Sequence, residues 1–172
     1  MSLYYLDASA AVKYYVLEPG SQWMRELIDA QDAFDDSHLH AVFLSDPSIV
    51  ECAAAFSVLH RTKRITRRTR DGAFEAFNQH IASGRYGLLT VVTADFRNAA
   101  RLTQRHPLKA YDAVQLAVAL RQNRALALVE RSLIFVSGDK TLLLAAQAEG
   151  LATDTPFDHV SPHDTPAPDN PI

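Results

Sequence analysis

The sequence contains one cysteine, no long apolar segment and no amino-terminal targeting signal. Cys52 has no second cysteine to pair with, so an internal disulfide is excluded and nothing indicates an oxidising compartment. No run approaches the roughly 18 consecutive apolar residues that a membrane-spanning helix needs. The amino-terminal residues MSLYYLDASA lack the basic start and apolar core of a signal peptide. We therefore expect a cytoplasmic protein without a membrane partner.

The sequence also lacks a strong excess of charge of either sign. Its 172 residues include 17 Lys and Arg and 20 Asp and Glu, which gives a formal net charge of −3. Net charge alone therefore does not attract nucleic acid, and any contact with it must come from a local basic patch. A hydrophobic content of 48% in a chain of this length predicts one compact soluble domain.

Short β-rich segments alternate with helical ones along the chain. This alternation is typical of an α/β fold in which helices connect parallel strands, and it predicts a sheet of four to five strands. The predicted strands span residues 3–6, 41–44, 88–92 and 134–136. The predicted helices span residues 9–17, 22–30, 46–59, 93–103, 111–121 and 141–149, and a further helical stretch carries Ala73, Phe77 and Ile81.

The carboxyl-terminal residues differ in composition from the rest of the chain. Five of the eight prolines, at positions 156, 162, 166, 168 and 171, fall in this segment. Proline interrupts helices and central strands, so little regular structure is expected there. We therefore divide the chain into a domain over residues 1–155 and a proline-rich tail over residues 156–172.

Four acidic residues follow predicted strands or begin predicted helices. Asp7 ends the first strand, Glu51 lies in the first turn of the helix after the second strand, and Asp112 begins another helix. Asp139 follows the fourth strand. In a parallel sheet, strand ends and the starts of the following helices share one edge, so these four side chains are expected to lie together.

Each acidic residue also has a structural explanation, which taken singly is the stronger one. Asp7 and Asp139 can cap the helices that follow them, Ser48 and Glu51 match a capping box, and Asp112 suits the dipole of a first helical turn. Four converging carboxylates, however, repel one another and have raised pKa values. A divalent cation removes this repulsion. Oxygen ligands favour Mg²⁺ or Mn²⁺, which suits phosphodiester hydrolysis.

Four segments of the chain resemble, in order and spacing, the motif blocks of PIN-domain ribonucleases. They are YYLDASAAVKYYVLEPGS, DPSIVECAAAF, LKAYDAVQLAVAL and FVSGDKTLLLAAQAEGL, and the resemblance covers about residues 1–155. It is closest to the VapC-type toxins of toxin–antitoxin pairs. The resemblance implies a three-layer α/β/α fold with a central parallel sheet, an RNA substrate, a VapB-type antitoxin as partner and a homodimer.

The resemblance also implies roles for individual residues. Asp7, Glu51, Asp112 and Asp139 would be the catalytic and metal-binding acids of a Mg²⁺- or Mn²⁺-dependent RNA endonuclease. Ser9 and Ser137 would hydrogen-bond the carboxylates or water rather than bind the metal directly. Some family members carry a further acidic residue just after the fourth block, where this chain has Lys140, Thr141 and Leu142. The number of metal ions, one or two, therefore stays open.

A basic segment is a candidate for contact with RNA phosphates. The run RTKRITRRTR, residues 61–70, has six basic residues and no acidic one. Arg61, Arg64 and Arg68 share one helical face if the helix runs unbroken, although a solvated helix face explains them equally well. Lys13 and Lys140 are further candidates, for which an ordinary surface lysine is the favoured alternative.

Other site types receive less support from the sequence. The histidines, including His38, His40, His159 and His163, lack the spacing of a structural zinc site, and Cys52 is better explained as a core residue than as a nucleophile. Phosphatases of the haloacid-dehalogenase type need acidic residues where this chain has Ser9 and Leu143. Two alternatives to the toxin hypothesis remain: a non-catalytic PIN-like interaction module, and a PIN ribonuclease of RNA processing without an antitoxin. The sequence does not indicate which RNA is cleaved.

Overall fold

A computed structural model describes residues 1–31 and 38–164 of the chain. Five parallel strands form one sheet in the order β3-β2-β1-β4-β5, so the predicted α/β fold with a parallel sheet is confirmed. The strands are β1 (Ser2–Leu6), β2 (His40–Ser45), β3 (Gly87–Leu89), β4 (Ile134–Val136) and β5 (Ala152–Asp154). The count of five agrees with the predicted four to five strands, but the position of β5 and the short length of β3 were not predicted from the sequence.

Seven helices of the described residues connect and flank these strands. They are α1 (Ala8–Tyr15), α2 (Ser21–Asp29), α3 (Asp46–Arg61), α4 (Arg67–Ala82), α5 (Thr93–Arg105), α6 (Ala110–Ala127) and α7 (Lys140–Ala148). Two short 3₁₀ turns, Pro156–His159 and Pro162–Asp164, follow β5. No helix in the described part of the chain is both long and apolar enough to cross a membrane.

The core has two halves, one on each face of the sheet. Side chains alternate along β1: Leu6 packs with the helices α1 to α4, whereas Leu3 and Tyr5 pack with α5, α6 and α7. Tyr5 and Leu6 are completely buried. Both faces of the sheet are thus covered by helices, and the predicted three-layer arrangement is confirmed.

The carboxyl-terminal segment up to Asp164 packs on the start of α2. Asp164 is 4% exposed, and its carboxylate accepts hydrogen bonds from the backbone N–H groups of Gly20 at 2.9 Å, Gln22 at 2.7 Å and Ser161 at 2.8 Å. The ring of His159 stacks on Trp23 at a centroid distance of 4.1 Å. Residues 156–164 thus contact the α/β layers directly, while Pro166, Pro168 and Pro171 lie outside the described residues.

We expect the Asp164→Asn variant to lower the free energy of unfolding by about 1–3 kcal/mol, because a carboxylate that accepts several backbone hydrogen bonds contributes more than a neutral acceptor. The three N–H groups hold the pKa of Asp164 below its usual range although burial acts in the opposite direction. The difference from the wild type should therefore shrink at acidic pH, as the carboxylate becomes protonated. Urea unfolding at neutral and acidic pH measures this difference in the free energy of unfolding.

The matched control is Asp158→Asn, the same chemical change at an exposed residue of the neighbouring 3₁₀ turn. We expect its effect to stay within about 0.5 kcal/mol. Equal stability of the two variants would show that Asp164 does not fasten the segment to α2.

Candidate active site

Asp7 lies between β1 and α1 and is buried, with 5% of its surface exposed. Its Oδ1 accepts a hydrogen bond from the N–H of Ala10 at 2.9 Å, which caps α1. The hydroxyl of Ser9 donates to Oδ1 at 2.8 Å, and that of Ser137 donates to Oδ2 at 2.8 Å. Burial raises the pKa of Asp7 to about 6, although these hydrogen bonds act in the opposite direction. The site therefore contains a negative charge that its surroundings compensate only in part.

The turn between β4 and α7 is bound to Asp7 through the same two serines. Gly138 donates its N–H to Ser9 Oγ at 2.7 Å, and Asp139 donates its N–H to Ser137 Oγ at 2.9 Å. A Cβ at position 138 would lie 3.1 Å from Ser9 Oγ and 3.3 Å from the ring of Phe157, so this close approach favours glycine. Ser9 and Ser137 thus connect Asp7 to the segment that carries Asp139.

Asp139 and Asp112 lie at the starts of two further helices. Asp139 caps α7, because its Oδ1 accepts the N–H groups of Thr141 at 2.8 Å and Leu142 at 3.0 Å. Its Oδ2 forms no hydrogen bond with residues 1–31 or 38–164 and is available to a ligand. Asp112 lies in the first turn of α6. Burial and the charge of Asp139 raise the pKa of Asp112, while Lys109 acts in the opposite direction.

Glu51 lies in the second turn of α3, one turn later than the sequence suggested. The capping box considered for Ser48 and Glu51 is wrong, because Ser45 is the capping residue and Ser48 is its partner. Glu51 Oε2 instead accepts a hydrogen bond from Gln115 Nε2 at 2.6 Å. Burial raises the pKa of Glu51 to about 7. A carboxyl group with such a pKa can both accept and release a proton at neutral pH.

Gln115 is a candidate site residue that was not predicted from the sequence. It is 1% exposed on α6, and its Oε1 accepts a hydrogen bond from the hydroxyl of Tyr5 at 2.7 Å and a longer one from Ser45 at 3.3 Å. These contacts fix the amide so that its Nε2 points to Glu51. One feature of the sequence could have indicated it: Gln115 is the only amide in the apolar run AVQLAVAL, and a buried amide needs polar partners.

The four predicted acidic residues lie directly after a strand or in the first two turns of a helix, at the edge of the sheet where the strands end. The charges of Asp7 and Asp112 act on Glu51, that of Asp112 acts on Asp7, and that of Asp139 acts on Asp112. Among residues 1–31 and 38–164, however, no group of three or more Asp, Glu, His or Cys side chains is arranged to hold a metal ion. An open set of oxygen donors fits Mg²⁺ or Mn²⁺, which takes one or two carboxylates and completes its shell with water and phosphate.

Lys13 and Arg64 border the same region. The surface-lysine alternative for Lys13 is wrong: the residue is 4% exposed, and its Nζ lies 3.3 Å from Glu18 and 4.4 Å from the ring centroid of Phe157. Glu18 also pairs with Arg64 at 2.9 Å. Lys13, Arg64 and Phe157 line a pocket of about 490 Å³ that includes Ser9, the hydrogen-bond donor to Asp7. Phe157 was not predicted, because it falls in the segment assigned to the tail.

The basic segment 61–70 does not form one helix. α3 ends at Arg61, and Lys63 has a φ angle of 59° in the turn before α4 begins. The condition under which Arg61, Arg64 and Arg68 would share one helical face, an unbroken helix, is therefore not met, since Arg64 lies in the turn and Arg68 in α4. Arg68 is exposed, and so is Lys140, the first residue of α7 and the neighbour of Asp139.

Comparisons with known proteins agree with this architecture. The family model described as PIN domain matches residues 4–142. The structure titled "Crystal structure of PAE2754 from Pyrobaculum aerophilum" is 16% identical, with a TM-score of 0.53 over 92% of this chain and 85% of that one. The structure titled "Structure of FitAB bound to IR36 DNA fragment" is also 16% identical, with a TM-score of 0.57 over 90% and 95% of the two chains. No curated protein matches the chain.

In buffer with a chelator, we expect Glu51→Gln to gain stability relative to the wild type as the pH rises from about 5 to 8. The pKa of Glu51 is about 7 in the folded protein and 4.5 in the unfolded chain. Between these two pH values the folded wild type therefore binds more protons than the unfolded chain, and its free energy of unfolding falls as the pH rises. The glutamine of the variant does not titrate, so the variant escapes this loss. After allowance for solvent screening, the relative change should reach about 1–2 kcal/mol in urea unfolding.

Glu75→Gln is the matched control, because Glu75 is exposed and likewise accepts a hydrogen bond from a glutamine amide, that of Gln79. Its stability relative to the wild type should not change over this pH range. The same pH dependence in both variants would contradict a raised pKa at Glu51.

Proposed function

The chain belongs to the PIN-domain family, whose members are typically nucleases, and on that premise we propose that it is a metal-dependent endoribonuclease that hydrolyses RNA phosphodiester bonds. The proposal is carried by the position of Asp7, Glu51, Asp112 and Asp139 at helix starts near the edge where the strands end, where the charges of Asp7, Asp112 and Asp139 act on neighbouring carboxyl groups. Open α/β sheets hold their ligands at this edge. An uncompensated set of carboxylates is unfavourable by itself and becomes favourable around a cation.

Asp7, Glu51, Asp112 and Asp139 would hold Mg²⁺ or Mn²⁺. Such an ion, when bound, supplies a water of lowered pKa and offsets the charge that develops on the phosphorus centre and the leaving oxygen. Glu51 Oε1 and Asp139 Oδ2 are suited to ligand contact, because the described residues give neither of them a hydrogen bond. The other oxygen of each carboxylate is held by Gln115 or by the start of α7.

Supporting side chains orient these carboxylates. Ser9 and Ser137 donate to Asp7, so they favour its ionised form and fix the plane of its carboxylate. Gln115 does the same for Glu51 and is itself fixed by Tyr5. Groups of this kind determine how well ligand oxygens are aligned, although they do not contact the ligand themselves.

Cations next to the carboxylates would bind the RNA backbone. Lys13 and Arg64 border the pocket beside Asp7, and Lys140 is adjacent to Asp139. Positive charge here offsets the repulsion between the phosphates and the carboxylates. Phe157 offers an aromatic side chain, 50% exposed, for an unstacked base. The more distant Arg61 and Arg68 would extend the contact along the strand.

We further propose that the chain is a VapC-type toxin of a type II toxin–antitoxin system, with a VapB-type antitoxin and a homodimeric state. The support is the match of the four sequence segments to the motif blocks of these toxins. Expression of the wild type without an antitoxin should arrest bacterial growth, and Asp7→Asn should abolish the arrest. A PIN ribonuclease of RNA processing would cleave RNA without arresting growth, and an interaction module would do neither.

We expect Asp112→Asn to reduce RNA cleavage with Mg²⁺ or Mn²⁺ by more than about 100-fold, the upper end of the effect of changing a residue that merely supports a metal ligand. Asp112 is partly exposed at the start of α6, so the variant should fold. Cleavage of a labelled single-stranded RNA by the purified protein, free of any antitoxin, measures the effect.

Asp71→Asn is the matched control, since Asp71 is an exposed residue near the start of α4 and should leave cleavage unchanged. Two outcomes would contradict the proposal: no cleavage by the wild type with either metal, or equal activity of wild type and Asp112→Asn.

Metal binding should also be visible without substrate. An ion that binds only the folded state stabilises it by about 2.7 kcal/mol at 100 times its Kd, which raises the melting temperature by about 5 °C or more in a chain of this size. We expect this rise for the wild type and for Asp71→Asn on addition of Mn²⁺, and a much smaller one for Asp112→Asn. An equal rise of the melting temperature in all three proteins would show that the metal binds away from Asp112.

A further inference from the structure

A second concave site lies between α5 and α6. This site, called here the arginine cleft, has a volume of about 400 Å³ and is lined by Arg101, Arg105, Arg124, Asn98 and Asn123. The side-chain oxygen of Asn123 accepts the N–H of the residue that precedes β4. The cleft therefore reaches the edge where strands begin, whereas the candidate active site lies where strands end.

Two guanidinium groups of the cleft have no acidic partner in the described part of the chain. Arg101 forms only a long hydrogen bond, 3.5 Å, to Asn98, and Arg124 uses its Nε to donate to the backbone oxygen of Leu120 at 3.1 Å. Neither forms an ion pair with a carboxylate of residues 1–31 or 38–164. Their remaining N–H groups are available to an anion.

The asparagines of the cleft also present donors. The Oδ1 of Asn123 is occupied by the N–H of Leu133 at 2.8 Å, so its NH₂ group is left to donate. The oxygen of Asn98 likewise faces Arg101, which leaves the NH₂ group of Asn98. The one carboxylate that lines the cleft, Glu149, is already bound to Arg105 at 3.0 Å and to His106 at 2.8 Å. The unengaged polar groups of the cleft are therefore hydrogen-bond donors.

Charge and shape both favour an anionic ligand here. Arg101 and Arg105 are four residues apart on α5, a spacing at which like charges destabilise a helix. Guanidinium groups match the oxygen atoms of phosphate with paired, charge-assisted hydrogen bonds. The cleft also has an apolar part, formed by Leu102 and Leu120, and its volume falls within the range of small-ligand sites, about 300–1,000 Å³.

We propose that the arginine cleft binds a phosphate group, supplied either by a free nucleotide or by the backbone of a nucleic-acid strand. This site is separate from the carboxylates and does not depend on their being catalytic. Phosphate binding in the cleft requires no divalent metal, because the hydrogen-bond donors are side chains of the protein. Binding should weaken as salt concentration rises, as expected for a charge-assisted site.

The test uses the full chain in buffer with a chelator, which removes any metal-dependent cleavage or binding. Three probes are titrated calorimetrically: inorganic phosphate, adenosine 5′-monophosphate, and a short 2′-O-methyl RNA without a terminal phosphate. The cleft variant is Arg101→Gln with Arg124→Gln. Both residues are exposed, so the fold should be retained, and thermal melting verifies this. The double variant Arg101→Lys with Arg124→Lys keeps both positive charges but loses the planar guanidinium groups that donate paired hydrogen bonds. It should bind the probe with intermediate affinity.

The matched control is Arg25→Gln with Arg131→Gln. It removes the same two charges at exposed arginines outside the cleft, which, like Arg124, each donate to a backbone oxygen. At least one probe should bind the wild type and the control, and its affinity should fall by about tenfold or more in the cleft variant. Binding of the RNA alone identifies a strand as the source, and binding of the nucleotide or phosphate identifies a small ligand. If no probe binds the wild type, or if cleft and control variants lose affinity equally, the proposal is wrong.

Discussion

The hydrogen bonds around the buried carboxylate of Asp7 join two segments of the candidate active site, the start of α1 and the turn between β4 and α7. Asp7 donates its own N–H to the backbone oxygen of Val136 at 3.1 Å, so it also belongs to the contact between β1 and β4. Its side chain caps α1 and, through Ser9 and Ser137, fixes the turn that carries Asp139. The spacing between the first and fourth acidic residues therefore follows from one small network.

The energetic balance at Asp7 shows why this network suits a ligand site. Three side-chain and backbone donors lower the pKa of its carboxyl group, but burial raises it further than they lower it. Glu51 follows the same pattern, with Gln115 as donor. Both carboxylates reduce the stability of the fold at neutral pH when no cation is present. Perturbed pKa values of this kind cluster at functional sites, which is why they support the proposed function.

The structural and functional explanations of the acidic residues are compatible, because a carboxylate has two oxygen atoms. Asp139 uses Oδ1 for the cap of α7, and Oδ2 remains available. The location of these residues could be predicted from the sequence, since strand and helix boundaries are local properties and a parallel sheet brings strand ends together. Capping therefore argues neither for nor against a role in catalysis.

The parts that could not be predicted depend on contacts between distant segments. Gln115 meets Glu51 across 64 positions of the chain, and Asp164 meets Gln22 across 142. No local pattern specifies such pairs, because tertiary packing selects them. The sequence also left open whether the basic segment 61–70 runs as one helix, and the structure shows that it does not. The turn at Lys63 occurs without glycine or proline, and Thr62 closes the end of α3 by bonding back to Val58.

The near-zero net charge conceals a separation of charge across the molecule. Carboxylates lie where the strands end, and the guanidinium groups of the arginine cleft, two of which have no acidic partner among residues 1–31 and 38–164, lie near the edge where strands begin. A polyanion approaching the carboxylates meets only a small local excess of positive charge, because Glu18 neutralises part of the charge of Lys13 and Arg64. The exposed arginines of residues 61–70 and the arginine cleft add positive charge that can attract a polyanion from a distance. A bound nucleic-acid strand would then contact these surfaces as well as the cations beside the carboxylates.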